Sequence, residues 1–275
     1  MRVLGIDLAW ATDKMSGLPN ETGVVAVEPD GTVVAAGWTR GLDETVEWIN
    51  AHAAHDTLAM IDAPLVVTNE SGQRVCEKQT GQRYGRWKVS ANSTNMRSPR
   101  LGGQALRLRL EGSGWTYNPG WGGPPSGGRN LSECYPYTAL VGAGEFGYEN
   151  ERPGYKRKPR RMRAAEFRLL RAAACDDLIS RLGSLSEADP PLLLRAHPLT
   201  HALVEEPSPV ADTAYKHRED LIDAAICAWT GLLWLRFGMS RCQVLGESDG
   251  VAPATIIAPA RPEQRRLVQD RGTGS

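Results

Sequence analysis

Four aspartates stand where an ionised carboxylate is expensive. Asp7 interrupts the apolar run RVLGIDLAW at residues 2–10, and Asp62 interrupts LAMIDAPLVV at 58–67. Asp220 and Asp223 fall in HREDLIDAAICAW, at the start of an apolar stretch over 217–237. A buried carboxylate needs an ion-pair partner, hydrogen bonds or a metal. Two carboxylates ~4 Å apart repel by about 4 kcal/mol at an effective dielectric of about 20. These segments fix no lysine or arginine beside both strand aspartates, and a divalent cation would turn the repulsion into binding. Oxygen donors without a cysteine or histidine cluster suit magnesium or manganese rather than zinc. A local explanation competes. Acids at a helix start are favoured by the macrodipole, at ~0.3–1 kcal/mol each, and a strand-end aspartate can bind the N–H groups of a turn. Asp220 and Asp223 are three apart and share a helix face, with His217 three further back. His217 is either a proton shuttle or a solvent-facing residue at a helix start.

The elements that must position these acids follow from patterning. Residues 2–10 read as a buried strand, with Val3, Leu4, Ile6 and Leu8 forming its apolar run. Residues 23–27 and 32–38 read as two further strands around Asp30-Gly31, a hairpin signal because both positions tolerate positive φ. The chain therefore opens with three antiparallel strands. Val46, Ile49 and Ala53 predict a helix over 42–55, and 58–67 is a second buried strand whose pairing stops near Pro64. If the strands of Asp7 and Asp62 are parallel neighbours, both acids share one sheet edge. Residues 129–137 read as a strand carrying Glu133. An amphipathic helix is expected over 161–182, a proline-rich connection over 184–212, a buried helix over 217–237, and edge strands at 243–245 and 255–257. A polar loop is expected at 11–22 and a flexible tail at 261–275.

The segment 68–128 reads as an insertion in a single domain of residues 1–260. Residues 74–109 carry nine lysines and arginines against one acid, Glu77, with Tyr84 and Trp87 interleaved among Arg83, Arg86 and Lys88. A short basic helix is expected at 99–110. GSGWTYNPGWGGPPSGG at 112–128 reads as a mobile flap. Residues 156–163 hold six cations, including Lys156 and Arg157. Basic grooves with interleaved aromatics suit nucleic acid, with Tyr84, Trp87 or Trp115 stacking on bases; a solvated charged surface is the alternative. The overall charge is balanced and names no partner. Five cysteines without CxxC spacing indicate neither a disulfide framework nor a zinc ribbon, so a reducing cytoplasm is expected. No leader pattern and no membrane span are read from the sequence.

Four short motifs in this order, GIDLAW at 5–10, IDAP at 61–64, ECYP at 133–136 and DLIDA at 220–224, resemble the RNase H-like superfamily. More closely, they resemble the prokaryotic domain-of-unknown-function family 429, described as predicted nucleases of that fold. The resemblance implies an α/β fold: a mixed five-stranded sheet, three antiparallel strands then parallel ones, flanked by helices, with a basic insertion. By resemblance Asp7 matches the first-strand acid and Asp62 that of the fourth strand. Asp220 and Asp223 match paired acids on the last helix of Holliday-junction resolvases, and Glu133 matches an acid of the smaller family. The implied activity is phosphodiester hydrolysis at two Mg2+ or Mn2+ ions. Asp7 would bridge them, with Asp62 and Glu133 on one ion, Asp220 and Asp223 on the other, and His217 moving protons. The implied substrate is DNA or RNA, single-stranded or branched forms included. Two other readings stay open. A GID first strand also opens the actin-like ATPases and sugar kinases, which thermal shift with ATP would reveal, and the fold could serve as a non-catalytic nucleic-acid scaffold.

Overall fold

The computed structural model describes residues 1–9, 20–249 and 253–269. Most of the polar loop at 11–22 lies outside them, as does 270–275.

Six strands form one mixed sheet in the order β3-β2-β1-β4-β6-β5. β1 (Arg2–Asp7), β2 (Glu21–Val27) and β3 (Val33–Arg40) make the expected antiparallel meander. β4 (Thr57–Ile61) runs parallel to β1, and β6 (Arg129–Glu133) parallel to β4. Helix α1 (Gly41–His52) carries the chain from β3 to β4. The sixth strand, β5 (Thr116–Tyr117), pairs with the outer side of β6 and lies inside the segment expected to be a mobile flap. That segment is anchored: Trp115 is buried and its Nε1 donates to Asn50 Oδ1 at 2.9 Å. Trp115 therefore cannot stack on bases.

Strand alternation divides the core into two layers. Leu4, Ile6, Val24, Ala59 and Ile61 face α1 and α3 (Gly102–Glu111), meeting Leu42, Ile49, Leu106 and Leu110. Val3, Val25, Leu58 and Met60 face the opposite side and pack on α7 (Asp212–Phe237). With both faces covered, β4 is buried at every residue, which is why its sequence is a continuous apolar run.

Several boundaries differ from the sequence expectation. The strand expected over 58–67 ends at Ile61, and a loop leads to α2 (Val75–Tyr84) in the basic insertion. The long connection at 184–212 contains α6 (Pro198–Glu205), following α4 (Pro136–Gly142) and α5 (Ala164–Gly183). β7 (Cys242–Gly246) and β8 (Thr255–Pro259) pair with each other in a separate antiparallel sheet instead of edging the main one. Part of the expected tail forms α8 (Pro262–Gln269). The segment Asp212–Ser240 is long and apolar enough to cross a membrane, contrary to the sequence reading, and most of its apolar window is buried in the fold.

Candidate functional site

The parallel pairing of β1 with β4 and β6 sets the site. Ile6 pairs with Ile61, and Ile61 with Glu133, so Asp7, Asp62 and Glu133 emerge at one edge of the sheet. The N–H of Asp62 donates to the carbonyl of Ile6 at 2.8 Å, extending the pairing by one residue. Asp7 lies on the same face as Gly5, and α7 lies almost on the backbone there. A Cβ built on Gly5 would stand 2.0 Å from the Ala224 carbonyl oxygen, and one on Gly23 would stand 2.1 Å from that of Asp220. Two glycines on adjacent strands thus let α7 sink onto the sheet and bring its acids beside Asp7.

The helix begins at Asp212, five residues earlier than expected. Asp220 and Asp223 therefore sit in its interior and are buried, so capping and the macrodipole do not explain them. Lys216, Asp220 and Asp223 share one helix face. The Lys216 ammonium contacts Asp220, and a second lysine, Lys156, enters from the basic segment before α5 to contact Asp223 Oδ2. A cavity of about 360 Å3 opens here, lined by Asp7, Asp62, Asp220, Lys156 and Lys216, with Asn92, Arg100, Tyr135 and Arg157 around it.

The electrostatics are dominated by desolvation of the acids. Burial, reinforced by Asp223, raises the Asp7 carboxyl well above its usual range, against the opposing pull of Lys156 and Lys216. Burial pushes Asp62 up to about 7, with Lys156 opposing, and Asp220 up to about 6, with Lys216 opposing. Burial also works against the charge on Lys156, yet Asp223, Asp7, Glu219 and Asp62 together hold it above the usual lysine range. Lys156 and Lys216 are the charges that sequence reading missed beside these acids.

Not every expected residue is available to a metal. Both oxygens of Glu133 accept from the Arg74 guanidinium, at 2.6 and 2.8 Å, and one also accepts the Leu65 N–H at 2.9 Å. Arg74 in turn binds Glu77, whose carboxylate accepts the N–H groups of Arg74 and Thr94. Glu133 lines the cavity but anchors the loop between β4 and α2 through these three bonds. Asp223 is fully buried: Oδ1 accepts from Tyr155 Oη at 2.7 Å and Oδ2 lies against Lys156. His217 stacks on Trp38 at 3.5 Å and binds Glu21 at 2.7 Å; it does not line the cavity.

The expected nucleic-acid residues divide in the same way. Tyr84 and Trp87 are buried, with Tyr84 Oη donating to Gln243's neighbour strand at the Pro259 carbonyl and Trp87 Nε1 donating to the Glu149 carbonyl, so neither can stack on a base. Arg86 pairs with Glu263 and lies over Trp87, Lys88 pairs with Glu151, and Arg83 donates to the Gln264 carbonyl. None of the five lines the cavity, whereas Lys156 and Arg157 do.

Arg74→Ala tests the anchoring role. It strands Glu133 and Glu77 as buried charges, and removal of one member of such a network costs ~3–5 kcal/mol. Thermal unfolding should fall accordingly; a melting temperature equal to the parent's would refute the assignment.

A model of a protein family, described as "Protein of unknown function (DUF429)", matches residues 5–245. No curated protein and no solved structure matches the chain.

Proposed function

The chain belongs to the DUF429 family, and from its acid-lined cavity we propose that it is a divalent-metal-dependent nuclease of RNase H-like fold that hydrolyses phosphodiester bonds. The fold assignment is supported by the antiparallel meander followed by parallel β4 and β6, with an acid at the end of each of β1, β4 and β6. One observation carries the activity: Asp7, Asp62 and Asp220, from three separate elements, meet in one cavity, where desolvation holds their carboxyls above the usual range against the pull of two lysines.

These residues fit a hard cation. Their donors are all carboxylate oxygens, as magnesium and manganese prefer. Among the described residues no three such side chains already stand in metal-holding geometry, and lysine ammonium groups lie against Asp220 and Asp223. Binding therefore requires Lys216, whose side chain is 59% exposed and also pairs with Glu219, to swing away from Asp220. Asp7, Asp62 and Asp220 would hold the ion, which when bound polarises the phosphoryl group and lowers the pKa of water. Arg157, held by Asn92 at 3.0 Å, and Arg100 orient the phosphate at the cavity wall. Tyr135 presents an aromatic ring beside them. The cavity's size and the burial of Tyr84 and Trp87 favour a single-stranded or frayed segment over a duplex laid along the basic insertion.

The test is cleavage of labelled single-stranded, duplex and branched DNA and RNA with Mg2+, Mn2+ or chelator. Metal-dependent cleavage, strongest on single strands, is expected; no cleavage of any substrate with either ion would overturn the proposal.

Metal binding also has a pH signature. Asp62 keeps its proton up to about 7 in the fold but only to about 3.9 when unfolded. Between those values the folded chain holds more protons, so metal-free stability falls as pH rises through this window. A cation binds the ionised form and opposes that loss. Mn2+ should raise the melting temperature clearly at pH 8 and little at pH 5; an equal shift at both would contradict the ligand set.

A further inference from the structure

Lys156 is built into the acid cluster. Its neighbour Tyr155 is fully buried, donates from Oη to Asp223 Oδ1, and has its carbonyl bound by Tyr215 Oη at 2.6 Å. The Lys156 side chain is only 18% exposed; its ammonium lies against Asp223 Oδ2, 4.0 Å from Glu219, and 5.5 and 5.4 Å from the centres of the Tyr137 and Tyr155 rings. The chain is thus pinned at the residue directly before the one that delivers the charge.

We propose that the site binds one divalent cation, and that the Lys156 ammonium supplies the second fixed positive charge that faces the phosphate. This rests on the nuclease reading above. Paired metals stand ~3.5–4 Å apart. A second ion near Asp223 would have to displace Lys156, leaving a buried ammonium between two tyrosine rings, or share the pocket with it. With Asp223 and Glu133 already committed, no further carboxylate expected to ligate stands ready for it. An ammonium carries three N–H donors. One is used on Asp223, and the others are available to non-bridging phosphoryl oxygens in the cavity that Lys156 lines. In hydrolysis the water oxygen bonds to phosphorus, the ester P–O bond breaks, one water proton leaves to solvent and the departing oxygen takes one up. Lys156 stays protonated throughout and serves as charge alone. Asp223 is accordingly a positioning residue.

The test is Mn2+ titration of the full chain, followed by loss of the free-ion EPR signal. One site per chain is expected in the parent. Lys156→Arg should keep one site. Lys156→Met combined with Asp223→Asn, which leaves no buried charge alone, should keep one site and cut the cleavage rate by ~10²-fold, the scale of losing one charge-stabilising donor, with Mn2+ affinity equal or tighter. Two sites of comparable affinity in the parent, or full cleavage by the double variant, would overturn the proposal while leaving the nuclease reading standing. No Mn2+ binding by the parent would overturn both.

Discussion

Asp7→Asn should abolish cleavage while leaving the metal-free fold at least as stable as the parent. The two effects have one cause. Asp7 is half-buried at the end of β1, where desolvation and Asp223 disfavour its ionised form, and Lys156 and Lys216 only partly offset this. A group whose folded pKa lies above its unfolded one costs stability once the pH exceeds the unfolded value. At neutral pH the neutral isostere therefore relieves the fold. Catalytically, the substitution removes a charge that no neighbour can replace. Loss of residues that merely support metal ligands costs ~10–100-fold in affinity or activity, so losing a direct ligand should exceed the upper figure. Rates on labelled single strands and thermal unfolding without metal check both halves. Undiminished cleavage would refute the ligand role. Lost cleavage with a lowered melting temperature would instead mark Asp7 as a structural residue.

The acid cluster was readable because each of its strand members sits in an apolar run. Val3–Ile6 and Leu58–Ile61 announce buried strands, and a buried strand tolerates an aspartate only at its end or beside a counter-charge. What the sequence does not carry is the long-range partner. Lys156 lies in a basic stretch with no period, and only the burial of Tyr155 beneath Tyr215 turns it toward the acids. Lys216 left a local trace, four residues before Asp220 on one helix face. The insertion misled because its charge was more conspicuous than its apolar spacing. Cys76, Thr80, Tyr84 and Trp87 recur at steps of three and four, and all are buried; that stripe marks α2 and the short turn after it as packed on the core, with Arg86 on the exposed side. The sixth strand was hidden by composition: two residues, Thr116 and Tyr117, in a glycine-rich run give no alternation to detect.

Gly5→Ala should separate the acids without touching any of them. The Cβ it adds would stand 2.0 Å from the Ala224 carbonyl oxygen and 2.4 Å from the Ala228 nitrogen. Both are backbone atoms of a buried helix, so no side-chain rotation relieves the clash; either α7 or β1 must move. Overpacking a core costs ~1–3 kcal/mol, occasionally more, and backbone opposition places this case at the upper end. For a domain of this size that corresponds to a fall in melting temperature of roughly 6–12 °C. Gly5 lies two residues before Asp7 on the same strand face, and Ala224 follows Asp223 directly. A displacement that relieves the clash therefore shifts Asp7 against Asp220, and Mn2+ affinity should fall together with stability. The metal arm distinguishes this from generic destabilisation: Leu106→Ala, which opens the opposite layer of the core beneath α3, should lower the melting temperature but leave Mn2+ affinity near the parent's. Equal affinity loss in both variants, or parental affinity in Gly5→Ala, would mean that the close approach of α7 to β1 does not set the site.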